Sequence, residues 1–175
     1  MTIDEILKDK TKKVKEKTET ISKWILEGSI PVDELIVFAE KSIASEKAIC
    51  IEAFEYATKQ NAKVADENLL SFVTEMLTEK APRVKWESAK VIANIAKIFP
   101  EKLDIAIDRL LVNSAYNGTV VRWATAYALG EILNLKTKHN KTLLPKMEAL
   151  FEKETEKGVK KKYSDAIKKV KKGSM

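Results

Sequence analysis

Two twelve-residue stretches of this chain nearly superimpose. Val84-Lys85-Trp86-Glu87-Ser88-Ala89-Lys90-Val91-Ile92-Ala93-Asn94-Ile95 matches Val121-Arg122-Trp123-Ala124-Thr125-Ala126-Tyr127-Ala128-Leu129-Gly130-Glu131-Ile132 at an offset of 37. Apolar, basic, Trp and Ala positions coincide. A third copy begins at Val159, offset 38 from the second. A degraded fourth begins at Ala48, with Ala53 and Tyr56 in register at offset 36 from the first. Ala53, Ala89, Ala126 and Ser164 thus mark one position in four units. A period of this length constrains the fold more than any single residue does, because one unit cannot bury its apolar face alone and must stack on the next.

A second repeat lies upstream of each copy. Leu69, Val73, Met76 and Leu77 match Leu103, Ile107, Leu110 and Leu111 at offset 34, and Leu143, Met147, Leu150 and Phe151 follow at offset 40. Leu35, Ala39, Ser42 and Ile43 form the weakest copy. Steps of 0, 4, 7 and 8 place these side chains on one face of a helix, not on an alternating strand. Each unit therefore reads as a first helix, a short turn and a second helix. Pro31 and Pro145 stand near the starts of two first helices, and Pro82 opens a second helix, where its missing N–H costs nothing. Asn117-Gly118 and Gly158 fall in turns, and Pro100 separates one unit from the next. Gly130 lies inside a second helix at a cost of about 1 kcal/mol, which close helix–helix contact would justify. The expected organisation is one domain over 1–175. An N-terminal helical cap or divergent half-repeat covers 1–30, and units follow at about 31–61, 67–98, 102–136 and 141–172.

Composition agrees. Apolar residues are 45% and charged residues 33% of 175, which excludes extensive disorder, and 5 Gly with 4 Pro are few for a turn-rich β fold. One Cys (Cys50) and one His (His139) leave no basis for a protein-built zinc or iron–sulfur site or a Cys–His pair. No phosphate loop, nucleophile elbow or His–Glu metal motif occurs. No enzyme, metal or cofactor is expected. His139, in Thr137-Lys138-His139-Asn140-Lys141, reads as a surface linker residue. No membrane-spanning run or apolar signal core is visible, so a cytoplasmic protein is the expectation. The net charge of +6 is uneven. Residues 152–172 hold 9 Lys against 4 acids, whereas 24–151 are close to neutral.

The stretch Val121–Ile132 resembles the second helix of a HEAT repeat, whose pattern runs roughly Val-Arg-x-x-Ala-Ala-x-Ala-Leu-Gly. Val84–Ile95 is a looser copy. The resemblance implies an all-α fold, a right-handed α-α superhelix of about four helix pairs, with second helices lining a concave face. It implies binding or scaffolding more often than catalysis. More distantly, the chain is similar to HEAT-like alkylpurine DNA glycosylases, which cradle a nucleotide with aromatic residues and an acid. The acid is missing here: the fourth residue after Trp86 is Lys90, and after Trp123 it is Tyr127.

Counting from the first Val of each second helix, steps 0, 4, 7, 8 and 11 form the core face. Steps 2, 6 and 10 then point to the lining face. They are Trp86, Lys90 and Asn94; Trp123, Tyr127 and Glu131; Lys161, Asp165 and Lys169; and, in the degraded copy, Cys50, Phe54 and Thr58. An aromatic strip of Trp86, Trp123, Tyr127 and Phe54 would mark an interaction site; packing of the indoles between repeats is the structural alternative. Arg83, Arg122 and Lys160 read as structural cations, with Asp104 and Asp108 as partners. Two functions follow. One is a non-enzymatic module that binds a protein or peptide through Trp86, Trp123, Tyr127, Phe54, Lys90, Asn94 and Glu131. The other is a nucleic-acid-binding protein that uses Lys161, Lys162 and Lys169 on the backbone and the Trp residues for stacking.

Overall fold

A computed structural model describes residues 1–173. Among them are ten α-helices, two short 3-10 turns and no strand. The helices are α1 (Ile3–Lys8), α2 (Val14–Glu27), α3 (Val32–Glu40), α4 (Ala44–Gln60), α5 (Glu67–Met76), α6 (Pro82–Ile95), α7 (Asp104–Asn113), α8 (Thr119–Leu133), α9 (Asn140–Lys153) and α10 (Lys157–Gly173).

The local signals behind these boundaries are ordinary. The Thr2 hydroxyl and Glu5 carboxylate form a reciprocal capping box on α1. Asp66 accepts from the Leu69 N–H at 2.9 Å to open α5. Pro82 occupies the first turn of α6. Gly28 closes α2 with φ +73°, a left-handed conformation that disfavours side chains. Two expectations shift. Pro145 lies inside α9, beyond its first turn, and Gly158 is the second residue of α10.

The second helices α4, α6, α8 and α10 stack side by side in one layer, and α2 extends the same row against α4. The first helices form the other layer, α3 against α5 and α5 against α7. The N-terminal segment is thus a shortened unit whose first helix, α1, has six residues. Gly130 has the reason expected of it: a Cβ there would approach the Ala166 Cβ to 3.0 Å.

Burial follows the step pattern closely in two helices. From Val84 to Ile95 every residue of α6 is buried except Lys85, Trp86, Lys90 and Asn94. From Val121 to Leu133 in α8 the exceptions are Arg122, Trp123, Tyr127 and Glu131. Neighbours on three sides close the rest and leave a stripe at steps 2, 6 and 10.

In α4 the expected register is wrong. Cys50, Phe54 and Thr58 are buried, Phe54 at 0% exposure, while Glu52 and Tyr56 remain partly open. The register that fits is offset 34 from α6, the same offset that relates the first helices α3 and α5. Phe54 then takes the core step held by Ser88 and Thr125.

Cations near the start of the second helices tie each unit to the next. The Lys47 Nζ donates to Glu79 Oε1 at 3.1 Å. Lys85 donates to the Leu77 carbonyl at 2.9 Å and to Asn113 Oδ1 at 3.2 Å. Arg122 donates to the Tyr116 and Asn117 carbonyls at 3.0 and 2.7 Å and, through Nε, to Glu154 Oε2 at 3.1 Å. Arg83 pairs with Glu52 on α4. These cations are structural, but Asp104 and Asp108 are not their partners. Asp104 Oδ1 instead lies 3.5 Å from Nδ1 of His139, which is buried against α7 and not a surface residue. Lys160, at the same step of α10, sits over the Phe151 ring at 4.6 Å.

Helix α10 is more polar than its predecessors on the side turned away from α8. At steps 5 and 9, where α6 buries Ala89 and Ala93 and α8 buries Ala126 and Gly130, α10 carries Ser164 and an exposed Lys168.

Candidate functional site

The stripe left open on α6 and α8 carries both lining tryptophans, each partly buried against the core. The Trp123 and Tyr127 rings, one turn apart, lie with centroids at 5.6 Å and planes inclined by 33°. Lys162 reaches over them from α10, its Nζ 5.0 Å from the Trp123 ring and 5.3 Å from Tyr127. That is cation–π range for both. Burial pushes the Tyr127 hydroxyl above its ordinary value, helped by the negative charges of Glu131 and Glu55.

Trp86 is finished differently. Its indole N–H donates to Glu87 Oε1 at 2.9 Å, and the Lys90 Nζ stands 3.6 Å from the same oxygen. Glu87 is only 4% exposed, and its Oε2 is buried without a hydrogen-bond partner. Burial raises its pKa; Lys90 opposes the rise, while Glu52 and Glu55 add to it. Asn94 spends its amide N–H groups on α4, donating to the Glu55 carbonyl and to Thr58 Oγ1, both at 3.1 Å.

Two shallow depressions flank Tyr127 and Glu131. One, of about 170 Å³, is bordered by Thr58, Lys59, Asn94 and Lys97 as well as these two residues. The other, of about 130 Å³, has Gly130 in its floor and Lys162, Asp165 and Lys169 at its margin. Glu131 is exposed, and it forms a ridge with Tyr127 between the two hollows.

The structure therefore brings Trp86, Lys90, Asn94, Trp123, Tyr127 and Glu131 onto one face, joined by Lys161 and Lys169 from α10. Phe54 is not among them. Lys162 is a lid on the aromatic pair and not a solvent-facing cation, and Lys161 is tied to Asp165 at 2.7 Å. Sequence reasoning missed Tyr56, Lys59 and Lys97. The offset of 34 between α3 and α5 was the available signal for Tyr56. No group of three His, Cys, Asp or Glu side chains among the described residues is placed to hold a metal ion. The Cys50 thiol is enclosed, and burial pushes its pKa up to about 12, which disfavours the reactive thiolate. No helix among the described residues is long and apolar enough to cross a membrane.

No family model matches this chain, and no curated protein matches it. Solved structures do. The designed armadillo repeat protein YIII(Dq)4CqI superimposes with a TM-score of 0.70 at 14% identity, over 96% of this chain and 80% of its own. The designed armadillo repeat protein YIII(Dq.V1)4CPAF, in complex with the peptide (KR)4, gives 0.69 at 14%, over 98% and 86%. An engineered protein of known crystal structure gives 0.54 at 14%, over 98% and 96%. The fold is that of an armadillo-like repeat solenoid. Identities this low speak for architecture alone, and the more distant resemblance to glycosylases gains no support from these matches. Within the solenoid, the open stripe runs along the row of second helices.

Proposed function

We propose that this solenoid is a non-enzymatic peptide-binding module that holds an extended segment along its second-helix face. The observation that carries the proposal is the ridge of Tyr127 and Glu131 between two hollows, backed by the Trp123 ring. Partly exposed aromatic side chains on a rigid helix row are the groups that most often dominate binding energy. The peptide complex of an armadillo neighbour is in keeping with this use of the architecture. The nucleic-acid alternative has less behind it. Arg is the side chain best suited to bidentate phosphate contact, and all three arginines are engaged internally: Arg83 with Glu52, Arg109 with the Thr74 carbonyl, Arg122 with Glu154.

The test is selection of a random dodecamer display library on the immobilised protein, followed by anisotropy titration of the enriched peptides. Trp123→Ala/Tyr127→Ala should weaken them by about a thousandfold, since anchor truncations cost about 2 kcal/mol each, with the helical circular dichroism unchanged. Glu131→Trp, at an exposed position, should weaken the same peptides by crowding both hollows. Enriched peptides indifferent to both variants would remove the second-helix face as the site.

A further inference from the structure

Along the second-helix face, the carboxylates are used up and the ammonium groups are not. Glu52 is paired with Arg83. Glu87 is buried under Trp86 and faces Lys90, and Glu55 is buried. Asp165 is held by Lys161. Among the described acids of this face, Glu131 is the one both exposed and unpaired; Asp165 is exposed but engaged by Lys161. Lys59, Lys97 and Lys169 are exposed with no carboxylate of the described residues within 4 Å, and Lys162 rests on aromatic rings instead of an anion. These four lysines divide evenly: Lys59 and Lys97 border one hollow, Lys162 and Lys169 the other.

From this charge pattern we infer that the occupant is acidic: a peptide segment with carboxylates on both sides of an apolar residue that sits on Tyr127. The inference rests on the peptide-binding reading above and adds its chemistry. Unpaired cations in front of small depressions attract an anionic segment and repel a cationic one. A (KR)4 peptide, such as the designed neighbour holds, would set cation against cation here. Glu131 interrupts the positive border at its centre. A peptide tolerates that, because its own N–H groups can donate to the carboxylate; an unbroken row of phosphates does not. Lys162 is pre-positioned by Trp123 and Tyr127, so little side-chain freedom is lost when a carboxylate meets it.

The deciding experiment reads composition and not mere binding. The random dodecamer library is selected on the wild-type protein, with Trp123→Ala/Tyr127→Ala as counter-selection, and in parallel on Lys97→Glu/Lys169→Glu, whose two sites are exposed. Wild-type clones should carry Asp and Glu over Lys and Arg by at least about threefold, and the charge-reversed variant should invert that bias. An enriched acidic peptide should lose about tenfold in affinity on the reversed variant. Enrichment of basic or neutral peptides on the wild type would overturn the acidic occupant and leave peptide binding standing. Failure to enrich any peptide over the counter-selected variant would overturn both. Fluorescein-labelled (dT)12 is the second probe. Binding of it tighter than any enriched acidic peptide, lost on Lys97→Glu/Lys169→Glu, would overturn the inference in favour of nucleic acid.

Discussion

The α4–α6 seam and the α8–α10 seam are built from the same parts and finished with opposite signs. Each has a tryptophan at step 2, an arginine near the helix start and a carboxylate that receives it. At step 3 the later helix of each seam sends a charged side chain back toward its predecessor. On α6 that residue is Glu87, nearly sealed from water and bonded to the indole N–H of Trp86. On α10 it is Lys162, partly open and laid over the rings of Trp123 and Tyr127. At the seam between, α6–α8, the same step holds Ala124. One position of a repeat thus decides whether a lining tryptophan is tethered from its edge by a buried anion or capped on its face by a cation. Both rings are partly buried against the core; under the proposed function the capped one is the ring that exchanges its cap for a ligand.

The arginines offer the largest contrast. Arg122 and Glu154 are 16% and 8% exposed, whereas Arg83 and Glu52 are 32% and 16%. Arg122 also holds two turn carbonyls. Removing one member of a buried pair strands the other, at about 3 kcal/mol or more, and a half-exposed pair is worth about 1. Arg122→Met should therefore lower the free energy of unfolding by about 3 kcal/mol and Arg83→Met by about 1, read by urea titration. Equal losses would show that the two seams are alike. Burial pushes the Glu154 pKa up, but hydrogen bonds from the Glu156 and Thr155 N–H groups and from Arg122, with the arginine's charge, leave it lowered. Its contribution is present above the unfolded-state pKa and is lost as pH falls through the folded one.

Much of this was legible in the sequence, and for a definite reason. A repeat writes each packing constraint several times, so Val84–Ile95 and Val121–Ile132 confirm each other, and the open stripe at steps 2, 6 and 10 follows from which positions recur as apolar. The exceptions lie where only one copy speaks. In α4 the small and apolar residues Ala48, Ile49, Cys50, Ile51, Ala53 and Phe54 run nearly unbroken, and periodicity inside such a run cannot say which side is open. Nothing beside Glu87 in the chain marks it as buried; that depends on packing between helices, and the acids that raise its pKa further, Glu52 and Glu55, belong to α4. His139 misleads in the same way: polar on both sides in sequence, it is folded against Asp104 of α7. Lys162 is one lysine in a run of three, and its place over the aromatic pair depends on the packing of α10 against α8.

The buried acid gives the next test. Glu87 has its pKa raised above the ordinary 4.5, chiefly by burial. The folded protein then keeps a proton that the unfolded chain has already released, so stability falls as pH rises from the unfolded-state value through the folded one. Glu87→Gln removes that titration while its amide oxygen still accepts from Trp86. Its stability relative to wild type should improve between pH 4 and pH 7 by about 1 kcal/mol, the cost of a buried charged group left short of partners. A difference independent of pH would mean that Lys90 already neutralises the site, and the Trp86 seam would then resemble its counterpart more than its geometry suggests.

The smallest effect is expected at Lys162, and it separates cap from strut. Lys162→Met keeps most of the aliphatic stem on the rings and removes the ammonium. A partly exposed cation–π contact is worth about 0.5 kcal/mol, so unfolding should barely move. The emission of Trp123 should respond, because a charge about 5 Å from the indole ring is gone, while Trp86, whose partner is Glu87, keeps its environment. With Trp86 and Trp24 replaced by Phe, the change is read on one fluorophore. A loss of several kcal/mol would make Lys162 a strut that locks α10 onto α8, and the aromatic pair would then be closed to any ligand. A shift in emission with stability intact is what a removable cap predicts.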